Sequence, residues 1–220
     1  MSLALPYGHS GMLYLDISVS LDGYVAGPEP SLQDPLGIGG EQLHEWAVAT
    51  QAFQQRHGRG GGEAGPDDEV MLESIENTGA TSMGRRMFSG GSGGWDDDPR
   101  ANGWWGDEPP FHHPVFVLTH HEREPLELTG TTFNFVTDGI ESALRQARAA
   151  AGERDVQIGG GTDVARQYLE AGLVDQLQLH VAPVLLGSGA RLLDGFVRRF
   201  ENIRTQASPS GVAHLKYRVS

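Results

Sequence analysis

The chain has 220 residues, with 16 Lys plus Arg against 29 Asp plus Glu and a formal net charge of -13. Such a surface repels nucleic acid and anionic membranes, so an anionic ligand must be met by a local positive site. Cysteine is absent, which excludes disulfides, thiolate nucleophiles and the Cys-ligated zinc of nucleobase deaminases.

No apolar run approaches the ~18 residues of a membrane span, and the first residues carry neither a basic nor a long apolar leader region. One α/β domain over residues 1–220, in a cytoplasmic protein, is the expectation. Leu13 to Val19 reads as a first buried strand, closed by the turn Leu21-Asp22-Gly23. After a breaker-rich loop from Gly27 to Gly40, the apolar residues Leu43, Ala47, Ala49 and Phe53 predict a helix from about Glu41 to Arg56. Its first turn, with Glu41, His44 and Glu45, faces the expected substrate cleft. Gly58 to Gly65 is a Gly-rich loop tip, and a short helix is predicted from Asp67 to Asn77. Ala80-Thr81-Ser82-Met83 then forms a strand running into Gly84-Arg85-Arg86-Met87. Gly90 to Pro110 is irregular, and its Trp95, Trp104 and Trp105 are read as covering a pocket or an oligomer interface, because exposed indoles are costly.

Pro114 to His120 and Phe133 to Val136 are buried strands. Asp138-Gly139-Ile140-Glu141 has capping-box spacing before a helix whose face is Ile140, Leu144, Ala147 and Ala151. Asp155 to Ile158 is a short strand, Gly159-Gly160-Gly161 a glycine run, and Val164, Tyr168 and Ala171 one stripe of a helix that Gly172 ends. Leu177, Leu179 and Val181 line one face of a further strand, with Gln176, Gln178 and His180 on the other; Leu215, Tyr217 and Val219 mark the last strand. Strands alternating with helices predict a mostly parallel sheet covered on both faces, with antiparallel pairing near the C-terminus.

Three strand ends carry anion chemistry. The run Gly159 to Gly161 opens a helix, where free N–H groups and the helix dipole favour an anion and the missing side chains let it approach. Gly84-Arg85-Arg86 repeats this logic with two guanidiniums, whose planar forks suit phosphate. Thr119-His120 closes a third strand, and open α/β sheets bind ligands at such ends. The spacing is not a Rossmann fingerprint: Val164 stands where a third small residue is wanted, and no acidic ribose-binding residue follows. The arrangement points to a dinucleotide carrying an extra phosphate. The pairs His112-His113 and His120-His121 make poor metal sites, because neighbours on a strand point to opposite faces.

Ser18-Val19-Ser20-Leu21-Asp22-Gly23-Tyr24-Val25-Ala26, Met83-Gly84-Arg85-Arg86, Val117-Leu118-Thr119-His120, Ile158-Gly159-Gly160-Gly161 and Pro183-Val184-Leu185-Leu186-Gly187-Ser188-Gly189 together resemble the C-terminal reductase domain of the bifunctional riboflavin-biosynthesis deaminase-reductase. The resemblance implies a dihydrofolate-reductase-like three-layer α/β fold and a homodimer. It implies an NADPH-dependent reductase of a small pyrimidine- or pteridine-like molecule, the nearest reaction being reduction of the ribosyl-aminouracil precursor of riboflavin. By motif, Gly84, Arg85 and Arg86 would hold the cofactor phosphates, with Arg85 on the 2′-phosphate. Thr119 and His120 would flank that phosphate, and Gly159, Gly160, Gly161, Thr162 and Asp163 would cover the pyrophosphate. Ser18, Val25 and Ala26 would border the nicotinamide, with Asp22 beside it as candidate proton donor. A nucleotide-binding protein without turnover, or a reductase of another small molecule, is the alternative.

Overall fold

The computed structural model describes residues 11–219; residues 1–10 and Ser220, which the leader and domain expectations include, lie outside the described residues. Among the described residues nine strands form one sheet, in the order β10 (Phe200–Ala207), β11 (Ala213–Val219), β8 (Gln176–Ala182), β1 (Leu13–Ser20), β7 (Asp155–Ile158), β3 (Thr78–Gly84), β4 (Val115–Leu118), β6 (Thr131–Val136) and β5 (Leu126–Leu128). Its centre is parallel: β1 lies between β7 and β8, followed outward by β3, β4 and β6. Both margins turn antiparallel, through β5 on one side and β11 with β10 on the other. A separate pair joins β2 (Tyr24–Ala26) to β9 (Ala190–Arg191).

Alternation along β1 divides the molecule. Leu13 and Leu15 enter the main apolar core with Ile158, Leu177 and the inner faces of α5 (Ile140–Ala151) and α6 (Thr162–Glu170). Tyr14, Asp16 and Ser18 point the other way, toward α1 (Glu45–Val48), α2 (Gln51–Arg56) and α3 (Pro66–Asn77); the Tyr14 hydroxyl bonds Ser74 of α3 at 3.1 Å, and the Ser18 hydroxyl accepts from the Trp46 indole of α1 at 3.0 Å. Helices on both faces of a mostly parallel sheet confirm the three-layer expectation.

Two local readings need correction. The helix predicted from Glu41 to Arg56 is a 3-10 turn over Gly40–Leu43 followed by α1 and α2, because Thr50 is extended and its hydroxyl accepts the Phe53 N–H, starting a new helix. The capping box at Asp138 does not form: Gly139, at φ 94°, is the N-cap of α5, and no side chain caps it. A glycine of positive φ one residue later takes the boundary, leaving Asp138 outside the helix. Among the described residues no helix is long and apolar enough to cross a membrane.

Candidate functional site

The parallel strands β1, β7, β3 and β4 are consecutive neighbours, and all end on one edge of the sheet. Three inter-strand steps of ~4.8 Å set about 14 Å between the first and last of these ends, the reach of an extended dinucleotide. The loops leaving them interlock. Gly84 N–H donates to Gly160 at 2.9 Å and Gly159 N–H to Ser82 at 2.8 Å, which ties the glycine run to the end of β3.

Each glycine of the run has its own steric role. A methyl at Gly159 would lie 2.7 Å from the Thr81 side chain, and Gly160 has φ 102°, which suits glycine. The Gly160-Gly161 peptide bond is cis. A methyl at Gly161 would meet nothing within 4 Å, so bare backbone faces open space where α6 begins. This donor set, unpaired first-turn N–H groups behind a side-chain-free approach, fits a pyrophosphate. Beside it an open cleft of about 590 Å³ lies between Thr162, Asp163 and Arg166 on one side and Tyr24, Gly189 and Arg191 on the other. At the far end of the edge, a cleft of about 730 Å³ is lined by Trp95, Asp96, His120, His121, Glu122 and Arg123.

The two arginines after β3 diverge. Arg86 is exposed and lies 3.7 Å from Asp163 of α6, so it stands beside the glycine run. Arg85 turns inward: its guanidinium pairs with Asp98 at 2.5 Å, donates to Ser89 and stacks 3.6 Å over the Trp95 ring. Side-chain exposures of 7% and 3% make this a buried pair. Burial pushes the Asp98 carboxyl up, but hydrogen bonds from Ser89, the Arg100 N–H and Arg85 outweigh it and hold it below the usual range. Uncoupling a buried pair costs about 3–5 kcal/mol, more than the ~1.5–3 kcal/mol of a charge-assisted bond to an exposed phosphate. The segment from Gly90 to Pro110 thus supplies the carboxylate that holds the guanidinium expected on the 2′-phosphate.

Asp22 is likewise held by protein donors. Its carboxylate accepts from the Ser20 hydroxyl at 2.6 Å and from the N–H groups of Leu186 and Gly187 at 3.2 and 2.7 Å. The Ser20 bond above all, against a smaller opposing effect of burial, lowers its pKa to about 2. Held in this way, it staples the β1–β2 turn to the Pro183-to-Gly189 loop. Val25 packs in the main core, Ala26 pairs with Ala190, and Thr119 is buried with its hydroxyl accepting the His121 N–H at 3.2 Å. His120 is exposed in the larger cleft. The indoles share out their tasks: Trp95 lines that cleft and donates to His121, Trp104 donates to Met87, and Trp105 packs on Phe111 and Phe133.

One constellation escaped the sequence reading. Ser18, His180 and His214 are register partners across β1, β8 and β11. The two rings meet Nδ1 to Nδ1 at 2.6 Å, while their Nε2 atoms face Asp16 at 2.5 Å and Asp67 at 2.7 Å. With both carboxylates ionised, these three bonds close only if the pair carries one proton more than two neutral rings. Burial lowers the His214 pKa despite the hydrogen bond and charge of Asp67. Trp46 covers the row, 4.4 Å from the His180 ring. His180 lies on the polar face of a predicted strand, but its register against His214, just ahead of the apolar residues that mark the last strand, is not a local signal.

An open α/β sheet with phosphate-type loops on successive strand ends and antiparallel margins defines the dihydrofolate-reductase-like class. Within it the chain belongs to the RibD C-terminal domain family, whose profile matches residues 12–213. It is 28% identical over 105 residues to the YyaP protein of Bacillus subtilis (strain 168), covering 47% of this chain and 52% of that one. It is 44% identical over 54 residues to the riboflavin biosynthesis protein RibD of Corynebacterium ammoniagenes, covering 24% and 16%. The matched stretches thus span about half or less of these relatives. Its fold is similar to a Thermotoga maritima diaminohydroxyphosphoribosylaminopyrimidine deaminase/5-amino-6-(5-phosphoribosylamino)uracil reductase, with TM-score 0.57, 13% identity and 96% and 57% of the two chains covered. It is also similar to dihydrofolate reductase from Enterococcus faecalis complexed with NADP(H) and RAB-propyl, with TM-score 0.51, 13% identity and 95% and 96% covered.

Proposed function

We propose that the chain is an NADPH-dependent reductase of a small pyrimidine- or pteridine-like molecule, the ribosyl-aminouracil precursor of riboflavin being the first substrate to test. The observation that carries this reading is the run of four neighbouring strand ends in which the side-chain-free approach at Gly161, the exposed Arg86 and the His120 cleft follow one another across a dinucleotide's length. When bound, the cofactor supplies the hydride. Gly159 to Thr162 would hold its pyrophosphate by backbone N–H groups, with Arg86 screening the charge. Ser18, fixed by Trp46, would border the nicotinamide at the β1 end. The adjacent cleft between Tyr24 and Arg191 would then receive the substrate. The family's reductases and the NADP(H) complex of the dihydrofolate reductase neighbour support the same reading.

Quenching of protein fluorescence on titration with NADPH and NADH tests the cofactor, and NADPH oxidation with candidate pyrimidines tests the reaction. Absence of binding by either nucleotide sinks the reductase reading. Binding without oxidation of NADPH by any pyrimidine or pteridine favours the second reading, a nucleotide-binding protein without turnover, which the ionised Asp22 supports. A homodimer belongs to the same proposal; Leu21 and Leu185, exposed at 63% and 71% on adjoining turns, are apolar surface that a second copy would cover, and light scattering on the purified chain checks it.

A further inference from the structure

Two buried charge clusters are settled differently. Arg85 of α4 (Arg85–Ser89) and Asp98 form a closed pair, one cation on one anion. The row Asp16, His180, His214 and Asp67 holds two carboxylates against one proton shared by two rings, and those rings are 2% and 1% exposed. The proposed function uses none of the four. Their position is a second observation. β1 pairs with β7 from Leu13 to Leu15, whereas its pairing with β8 continues to Ser20. From Asp16 onward β1 therefore borders a gap in the sheet, and Ser18, the residue expected beside the nicotinamide, lies along it. The row starts at this strand with Asp16, crosses β8 at His180 and β11 at His214, and ends at Asp67, 18% exposed in the first turn of α3. His180 stands one inter-strand step, ~4.8 Å, behind the strand that edges the gap. Around the row, Glu73 of α3 is committed to Lys216 of β11 at 2.5 Å and to Arg204 of β10 at 2.7 Å, and burial raises the Tyr14 pKa so that it stays protonated. Burial, then the charge of His180, lowers the pKa of His44, which precedes α1. The shared proton of the row is thus the charge on this face that is free to leave.

We propose that the row of Asp16, His180, His214 and Asp67 compensates charge on the nicotinamide: it keeps its shared proton beside the neutral dihydronicotinamide and releases it past Asp67 to solvent when the ring becomes a cation. The proposal rests on the reductase reading. In the reduction, a C–H bond of the dihydronicotinamide breaks and hydride carries both electrons to the electrophilic carbon of a C=N or C=O bond, while the nitrogen or oxygen takes a proton from water. The nicotinamide is left with one positive charge. A row that has lost one proton is more negative by one, and it offsets that charge in a layer that water does not screen. Its members touch neither hydride nor substrate, so they are positioning residues. Trp46, packed on the His180 ring and bonded to Ser18, holds the row against the strand edge.

Calorimetric titration with NADP+ and with NADPH, each in buffers of different ionisation enthalpy, counts the protons released on binding and needs no substrate. The two nucleotides share every phosphate, so the difference between them reports the ring. The unaltered chain should release up to about one proton more with NADP+, and as the pH rises the affinity ratio should shift toward NADP+ by up to about tenfold per pH unit. His180→Gln and His214→Gln can keep hydrogen bonds within the row without titrating, and each should remove most of both effects while still binding NADPH. A merely structural role would lower stability and both affinities but would not flatten the dependence on pH. Should neither variant fold, Asp67→Asn at the exposed end decides, by whether the proton difference falls. Equal proton release with the two nucleotides in the unaltered chain overturns the proposal and leaves the reductase reading intact. An undiminished difference in the variants also overturns it, because the proton then comes from another group. Failure to bind either nucleotide removes the reductase reading together with the proposal.

Discussion

Single side chains in this molecule are set by what their neighbours leave them to do. Asp22 and Asp98 are both carboxylates beside a proposed nucleotide, yet each is fully engaged by protein donors and held ionised. Both sit below the usual carboxylate range, whereas a useful general acid has a pKa close to the working pH. Asp22→Asn removes a proton source if Asp22 is one, and only an anchor for the Leu186 and Gly187 N–H groups if it is not. The expected outcome is the second. The rate of NADPH oxidation should fall less than about tenfold, with an unchanged pH profile, against the 10²–10⁴-fold that loss of a proton donor costs. A loss in that larger range, with the acidic limb of the profile removed, would restore Asp22 as the donor.

At the scale of elements, the glycine run separates folding from binding. Gly159 is packed against Thr81, Gly160 needs a positive φ, and Gly161 faces open space at φ -71°. Gly159→Ala should destabilise the chain, because the 2.7 Å approach of the added methyl to Thr81 forces the ends of β3 and β7 apart. Gly161→Ala should leave the melting temperature within a few degrees of the parent and weaken NADPH binding by about tenfold or more, since the methyl occupies the approach to the α6 N-terminus. Comparable loss of stability in both variants would show that the open side of Gly161 is not a ligand surface. The element order, the parallel centre and this junction were legible in the sequence because hydrophobic period and glycine placement are local signals. The strands β2, β5, β9 and β10 were not. Three of them have only two or three residues, and β10 carries Glu201, Asn202, Arg204 and Gln206 on a largely exposed edge, so no apolar alternation marks them. The clamp on Arg85 was hidden for a different reason: its partner Asp98 lies in a loop, where no period fixes which side chain turns inward.

The whole molecule carries an acid sensitivity that follows from its polar sheet face. Burial first, then the positive charges of Arg56 and Arg154, lowers the His113 pKa from 6.5 to about 3, and its ring bonds the Thr81 hydroxyl at 2.8 Å. Burial likewise lowers His44 and His214 from 6.5. For each, the unfolded chain takes up a proton below about pH 6.5 that the folded chain refuses, so stability present above that pH is lost as the pH falls toward the folded value. Asp16 adds nothing in this window. Although burial alone would raise it, its bond and charge interaction with His180 hold its pKa below 3.8, so its contribution is lost only under more acid conditions. One group shifted as far as His113 removes about 2 kcal/mol between neutrality and pH 5, equivalent to about 4–8 °C in a chain of this size. Melting curves at pH 7.5, 6 and 5 should therefore show a steady fall, and His113→Gln, which can keep a hydrogen bond to Thr81 but does not titrate, should fall less by several degrees. A parent chain with the same melting temperature from pH 7.5 to pH 5 would mean that these histidines accept protons without unfolding. In that case the buried row of Asp16, His180, His214 and Asp67 would have to open and hydrate in the native state.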